Sequence, residues 1–229
     1  MHPSPTSIAF GQRRPGGTVR RGGAALWWGV LLTVAVAGGA LFALAQTGPL
    51  ARMMAGHILL MNVVAPLLAV LLRGRRPAGG RTLLAASLLQ LALLWATHLP
   101  ALTALLHGPM MLVPAALLFA SALWFWRAVL GQQGARRWRG LLALLLTGKF
   151  YCLLGVLLVF APRPLYPGQA PAPLLLADQQ QAGLLMTVAC PLSYVLAAVI
   201  IAAGWVAALE TGSSDRRPGP ASAAGQAAI

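Results

Sequence analysis

Six apolar runs, each of 18 residues or more, restrict this chain to folds that fit inside a lipid bilayer. They cover residues 26–45, 50–72, 82–99, 110–130, 141–160 and 182–209. A helix needs about 20 apolar residues to cross roughly 30 Å of hydrocarbon. Charged residues make up only 9% of the chain, whereas soluble domains usually contain about 25%. The sequence therefore predicts an all-α, polytopic transmembrane helical bundle of about six spans over residues 26–209.

Arginine residues cluster in alternate connections, and this pattern predicts how the spans are oriented. Fourteen of the sixteen lie before the first run, between the second and third, around the connection from fourth to fifth, or after the last. The other two are Arg52 and Arg163. Cytoplasmic loops carry such an excess of positive charge, so both termini are predicted to be cytoplasmic. Because the net charge of +14 is divided among these short clusters, it does not indicate a nucleic-acid-binding face.

The two ends of the chain have weaker patterns. Residues 1–25 are basic and rich in Gly and Pro, and residues 210–229 are mostly Ser, Gly, Pro and Ala, so both are predicted to be disordered tails. The first run ends in Ala43-Leu44-Ala45, which suits cleavage by a signal peptidase. It is longer than the usual hydrophobic core of a signal peptide, and we therefore favour a retained span.

A stripe of sulfur and imidazole side chains lies along the second run. Met53, Met54, His57 and Met61 are spaced three and four residues apart, so they share one face of a helix. Thioethers and imidazoles are soft to borderline donors that suit copper better than magnesium or calcium. Methionines in helices are more commonly packing residues. A histidine well inside the hydrocarbon is rare, however, and usually faces the bundle interior or a pathway.

The predicted topology places further candidate ligands near the same, periplasmic side of the membrane. His98 and His107 bracket the end of the third run, and Asp178 and Met186 lie at the start of the sixth. Histidines at a membrane boundary can simply bond water or backbone. Asp178, with Gln181 three residues later, also has the capping-box spacing for its own helix. The predicted metal ligands are His57, His98, Met53 and Met186, with His107 and Asp178 next.

Three other side chains lie deep in the predicted spans. Lys149 is near the middle of the fifth run, where a lone ammonium costs roughly 3 kcal/mol. We expect it to have a partner such as Asn62 or Gln90, or a wet cavity. Cys152 and Cys190 fall at about the depth of His57, so the three could form a copper site, although buried thiols are usually packing residues.

Proline and tryptophan complete the predicted topology. The connection 162–177 contains five prolines, and we expect it to fold as a cap over the outer mouth of the bundle rather than as a long helix. Tryptophans at positions 124, 126 and 138 fall near predicted cytoplasmic ends, where indole rings usually anchor a span in the headgroup layer.

Five segments occur in a familiar order, at residues 53–66, 95–102, 117–126, 164–167 and 178–186. The strings His98-Leu99-Pro100-Ala101-Leu102 and Asp178-Gln179-Gln180, followed by Gly183-Leu184-Leu185-Met186, are the most specific. Over residues 50–208 the chain resembles the CtaG family of assembly factors for caa-type cytochrome c oxidases. The resemblance implies a multi-pass protein of the bacterial inner membrane that is needed to build the oxidase. Its implied partners are oxidase subunits and the bilayer, and its implied cargo is copper for the catalytic subunit.

Two positions depart from the family pattern. The second span of the family carries two histidines four residues apart, and here Met53 stands at the first of these positions and His57 at the second. A Glu-His pair expected at the start of the fourth span is Val113-Pro114 in this chain. The resemblance therefore implies a divergent member, in which a thioether takes the place of one imidazole.

The function predicted from the sequence is assembly of a haem-copper oxidase, without enzymatic activity. The sequence has no Ser-His-Asp pattern, paired carboxylates or glycine-rich phosphate loop. One alternative is a small transporter or channel whose path is lined by Lys149, Asn62 and Asp178. No pair of Gly- or Pro-interrupted spans recurs in two halves, as many transporters would show. A second alternative is a structural partner that holds oxidase subunits through helix packing.

Overall fold

The described part of this computed structural model is helical and comprises residues 47–72, 80–105, 108–166, 168 and 170–214. Within these ranges, five helices are long and apolar enough to cross a membrane, as expected of a multi-pass membrane protein. The predicted tail 1–25, the predicted first span 26–45 and residues 215–229 of the predicted C-terminal tail lie outside the described residues. His107 lies outside them as well.

Six helices follow one another along the described residues. They are α1 (Pro49–Leu71), α2 (Gly80–Thr97), α3 (Pro100–Leu105), α4 (Leu112–Leu130), α5 (Arg137–Phe160) and α6 (Ala172–Ser214). Short 3-10 turns at Gly108–Met111 and Gly134–Arg136 precede α4 and α5. Helices α1, α2, α4 and α5 begin and end within four residues of the apolar runs 50–72, 82–99, 110–130 and 141–160.

The start of α6 corrects the sequence prediction. The helix begins at Ala172, ten residues before the predicted residue 182, and runs to Ser214, five residues past the predicted end. The difference arises at Pro171 and Pro173, because the predicted start of the span assumes that prolines exclude a helix up to residue 177. In the first turn, however, the backbone N–H that proline lacks has no intrahelical partner to lose.

Residues 162–166, the first part of the connection predicted to cap the bundle, lie over one end of it, whereas residues 172–177 of the same connection are helical. The backbone N–H of Leu165 donates to Oε1 of Gln179 at 2.7 Å, and the Tyr166 hydroxyl donates to the carbonyl of His98 at 2.9 Å. Burial raises the pKa of Tyr166 to about 12, so its hydroxyl keeps the proton that it donates. We call this the capped end of the bundle; α1 begins there and α2 ends there.

Close contact between α5 and α6 depends on two glycines. A Cβ atom added to Gly183 would lie 2.7 Å from the carbonyl oxygen of Gly155, and one added to Gly155 would lie 2.7 Å from the carbonyl oxygen of Gly183. Small residues let transmembrane helices approach to backbone contact, where dispersion forces are strongest. The first half of α1 packs against this α5–α6 pair through α6, and its second half packs against α4.

Aromatic rings fill the middle of the bundle. Tyr194 of α6 stacks on Trp126 and on Tyr151, with ring centroids 5.5 Å apart in both pairs, and Phe125 completes the cluster. Trp126 is only 3% exposed, so its predicted role as a membrane-interface anchor is wrong. Trp124 and Trp138 are exposed, as that role requires.

The buried position of Trp126 follows from a proline in α1. Pro66 has no N–H to donate into the helix, and the turn before it, Leu60–Val64, is a π-helix in which the N–H of Ala65 bonds to the carbonyl of Leu60. In that pattern the carbonyl of Met61 would accept from residue 66, which is proline. The indole N–H of Trp126 donates to this carbonyl instead, at 2.8 Å.

Candidate metal centre

A small cavity lies inside the bundle between α1, α2, α5 and α6, below the capped end. Its volume is about 10 Å³, close to what one water molecule needs. The lining is mostly sulfur, imidazole and apolar side chains. It consists of Met54, His57, Ile58, Met61, Asn62, Leu94, His98, Tyr151, Met186 and Cys190.

His98 presents an unprotonated nitrogen to this cavity. Its Nδ1 lies 2.7 Å from the carbonyl oxygen of Leu94, which can only accept, so Nδ1 carries the proton. Its Nε2 then has a free lone pair, which lies 3.1 Å from the Sδ atom of Met54. Second-shell bonds to a backbone carbonyl commonly fix the tautomer of metal-binding histidines in this way.

His57 adds a second imidazole beside the first. The two rings meet edge to face with centroids 6.1 Å apart. The Nδ1 atom of His57 is buried and has no hydrogen-bond partner. Buried polar atoms are nearly always paired, so an orphaned imidazole nitrogen beside a cavity indicates a place for a ligand.

Sulfur atoms supply the remaining donors. Met54 and Met61 of α1 and Met186 and Cys190 of α6 are each at most 2% exposed, and all four line the cavity. Within the described residues, no three His, Cys, Asp or Glu side chains are grouped to hold an ion, so a metal here would need the thioethers.

The uncharged lining favours a metal ion of low charge. None of its residues is acidic, so a divalent ion would bring two uncompensated charges into the bundle interior. Cu(I) brings one charge and prefers thioether, thiolate and imidazole donors. Loss of the Cys190 thiol proton would neutralise that single charge. The donor set therefore fits Cu(I) better than zinc, magnesium or calcium.

A hydrogen-bonded group supports the floor of the cavity. The Nε2 amide of Gln90, which is fully buried on α2, donates to the hydroxyls of Tyr151 at 2.7 Å and Tyr194 at 3.0 Å. Tyr151 is itself part of the lining. Its hydroxyl is thus bonded to α2 and its ring stacks on Tyr194, which holds this part of the lining in place.

The structure brings together three of the six predicted ligands. His57, His98 and Met186 line the cavity. Met53 lies instead in a separate groove of about 690 Å³ at the capped end, together with Asp178 and Tyr166. Cys190 joins His57 as predicted from its depth, whereas Cys152 is not among the lining residues.

Asp178 caps a helix, but not the helix to which it belongs. Its carboxylate accepts the backbone N–H groups of Leu50 at 2.9 Å and Ala51 at 3.0 Å, in the first turn of α1. The predicted capping box with Gln181 is wrong, because α6 starts six residues before Asp178. Gly48 is the N-cap residue of α1, and a Cβ atom there would collide with the Asp178 carboxyl group.

The residues of the alternative transport path do not share a site. Asn62 lines the cavity, Asp178 lines the groove at the capped end, and Lys149 lines neither. Lys149 is exposed on the outer face of α5, and Gln90, one of its predicted partners, is bonded to the two tyrosines. The predicted partnership of Lys149 with Asn62 or Gln90 is wrong.

Residues 81–208, more than half of the chain, match the family of cytochrome c oxidase caa3 assembly factors (Caa3_CtaG). The chain belongs to this family. The match contains His98, Met186 and Cys190 but not α1, which supplies Met54, His57 and Met61. No curated protein and no solved structure matches the chain.

In this Caa3_CtaG protein the cavity is lined by Met54, whereas Met53, the predicted ligand, lines the groove at the capped end. Met53 stands at the position of a family histidine, four residues before His57. On a helix of 100° per residue, Met54 and Met61 lie about 60° and 40° to one side of His57, whereas Met53 lies about 40° to the other. The spacing 54–57–61 was therefore the signal that identified the cavity face.

Proposed function

We propose that this chain assists the assembly of a cytochrome c oxidase by holding Cu(I) in the cavity and passing it on. In this role it is a metal-handling factor rather than an enzyme. The cavity would face the periplasmic half of the bacterial inner membrane, the side to which the arginine distribution assigns the capped end.

One observation carries this proposal: the free Nε2 of His98 and the Sδ of Met54 lie 3.1 Å apart in a cavity that holds one atom-sized guest. The lone pairs of these two atoms do not attract each other. Their close approach becomes favourable when a cation lies between or beside them. The remaining donors are neutral and soft, and they make the site suit a monovalent copper ion.

The groove at the capped end offers a route for exchange. It contains Met53, the chain neighbour of Met54, and Tyr166, whose hydroxyl bonds to the backbone of His98. The groove therefore lies beside the backbone that carries both Met54 and His98. This placement suits a carrier that must release its copper to a second protein.

The test uses a deletion strain complemented with the full chain or with single variants. We expect the deletion to lower both the oxidase band in a reduced-minus-oxidised haem spectrum and the copper content of the purified oxidase. Met54→Leu, which keeps the volume but removes the donor, is expected to behave like the deletion. Met53→Leu is the matched control and is expected to complement. A fully metallated, spectrally normal oxidase in the deletion strain would overturn the proposal.

A further inference from the structure

Lys149 is the only lysine in the sequence, and it lies at the middle of a membrane-spanning helix. Twelve residues of α5 precede it and eleven follow, so it is about 18 Å from the first residue of the helix. Arg139, ten residues earlier, belongs to the basic cluster expected at the headgroup layer, about 15 Å away. That distance exceeds what a lysine side chain can span.

The surroundings of Lys149 offer no compensation for its charge. It is exposed, and within the described residues no hydrogen bond or ion pair reaches it. Its neighbours on the same face of α5 are exposed apolar side chains: Leu142, Leu145, Leu146, Phe150 and Leu153. An ammonium in such a place costs roughly 3 kcal/mol or more unless it is paired.

We propose that this face of α5 docks a transmembrane helix of an oxidase subunit, and that a carboxylate of that helix at mid-membrane depth pairs with Lys149. The identity of the partner rests on the proposed assembly function. The charge of Lys149 itself defines the chemistry of the partner, because a carboxylate both bonds to the ammonium and neutralises its charge.

A second copy of this chain does not have the required acid. The sequence contains three acidic residues, Asp178, Glu210 and Asp215. Gly148, next to Lys149, lies against Pro191 and Tyr194 of α6. Lys149 is therefore at about the same depth in the bundle as these two residues. Asp178 is thirteen residues before Pro191, about 20 Å away, and Glu210 is sixteen residues after Tyr194, about 24 Å away. Two copies with the same orientation would therefore place no carboxylate opposite Lys149.

A neighbouring groove completes the surface. It runs between α2 and α5, has a volume of about 420 Å³, and takes Leu142, Leu146 and Phe150 as part of its wall. Those three residues also flank Lys149. Apolar side chains of a docked helix can fill this groove while its carboxylate meets the ammonium, so the surface combines shape with one charged contact.

The single lysine makes the test specific. Membranes that contain the oxidase and the full-length chain, carrying a lysine-free affinity tag, are treated with dicyclohexylcarbodiimide. This apolar reagent activates a carboxyl group as an O-acylisourea. The Lys149 amine displaces it, forming an amide and releasing dicyclohexylurea. We expect a cross-link that maps to Lys149 and to an acidic residue inside a transmembrane segment of an oxidase subunit.

Two variants separate charge from reactivity. Lys149→Arg keeps the charge but gives no amide product, so it is expected to lose the cross-link and still co-purify with the catalytic subunit. Lys149→Leu is expected to lower the amount of catalytic subunit that co-purifies with the chain by about tenfold. The cross-linking experiment uses the wild-type chain, so it still tests the proposal if the Lys149→Leu variant misfolds.

Failure of this proposal is distinct from failure of the assembly function. The docking proposal is overturned if the wild-type chain gives no cross-link to an oxidase subunit, or if Lys149→Leu co-purifies as well as wild type. A cross-link to a second copy of this chain would also overturn it. In all these cases the assembly role is judged separately, from the oxidase spectrum of the deletion strain.

Discussion

The Nε2 atom of His98 lies 3.1 Å from the Sδ atom of Met54, which joins the end of α2 to the first half of α1. The contact brings together residues that are 44 positions apart in the sequence. It places a free imidazole lone pair and a thioether in one cavity that no acidic side chain lines. The cavity thus suits a soft, monovalent cation.

Replacement of Met54 should weaken Cu(I) binding, whereas replacement of its neighbour should not. We expect Met54→Leu to lower the Cu(I) affinity of the purified full-length chain at least about tenfold, because a donor is lost while the packing volume is kept. The Cu(I) affinity of Met53→Leu should stay within about twofold of wild type, because Met53 lines the groove at the capped end. Competition with a chromophoric Cu(I) chelator measures both. Equal affinities, or a larger loss in Met53→Leu, would contradict this assignment.

The spans could be predicted from the sequence because hydropathy and length are local properties of a chain in a bilayer. The bounds of α1, α2, α4 and α5 follow from apolar runs that end at arginines, Gly or Pro. The start of α6 could not be read in the same way. Prolines such as Pro171 and Pro173 are compatible with a helix that begins beside them. In the interior of a helix a proline would disrupt it.

The site was only half predictable, since it depends on contacts between helices. The sequence identified His57, His98 and Met186 from their chemistry and depth, and the cavity contains all three. It could not show that Asp178 reaches across to the first turn of α1. Nor could it show that Trp126, in a cluster typical of a membrane interface, is held inside by a carbonyl that Pro66 leaves without a donor.

Loss of the Trp126 indole should leave a buried carbonyl without a donor. We expect Trp126→Phe to lower the free energy of unfolding by about 1 to 3 kcal/mol, measured by thermal unfolding in detergent. Pro66→Ala restores a backbone N–H near Met61, so the double variant should lose less stability than the sum of the two single changes. Trp124→Phe, at an exposed position, is the control. Strict additivity in this cycle would contradict the link between Pro66 and Trp126.

Loss of the Asp178 carboxylate should destabilise the start of α1 rather than that of α6. Asp178→Ala removes the acceptor of two backbone N–H groups, and we expect a cost of about 1 to 2 kcal/mol. Gln181→Ala changes an exposed residue and should be nearly neutral. Hydrogen exchange should show faster opening of Leu50 and Ala51 in the first variant only. Faster exchange at the start of α6 instead would contradict the capping of α1.

The glycine contact between α5 and α6 should not tolerate a side chain. Gly183→Ala would place a methyl group 2.7 Å from the carbonyl oxygen of Gly155, and we expect a loss of about 1 to 3 kcal/mol. Gly204→Ala lies in the same helix with open space around it and should be neutral or slightly stabilising. Unfolding temperatures in detergent compare the two. Equal stability would show that the helices can separate at this point without loss.

X-ray absorption at the copper edge of the Cu(I)-loaded full-length chain tests the central claim most directly. The proposed site predicts one copper per chain, with sulfur and imidazole nitrogen both in the first coordination shell. The imidazole signal should weaken in His98→Ala. A chain that takes up no Cu(I), or a spectrum with oxygen ligands only that is unchanged in His98→Ala, would contradict the proposal that this cavity holds copper.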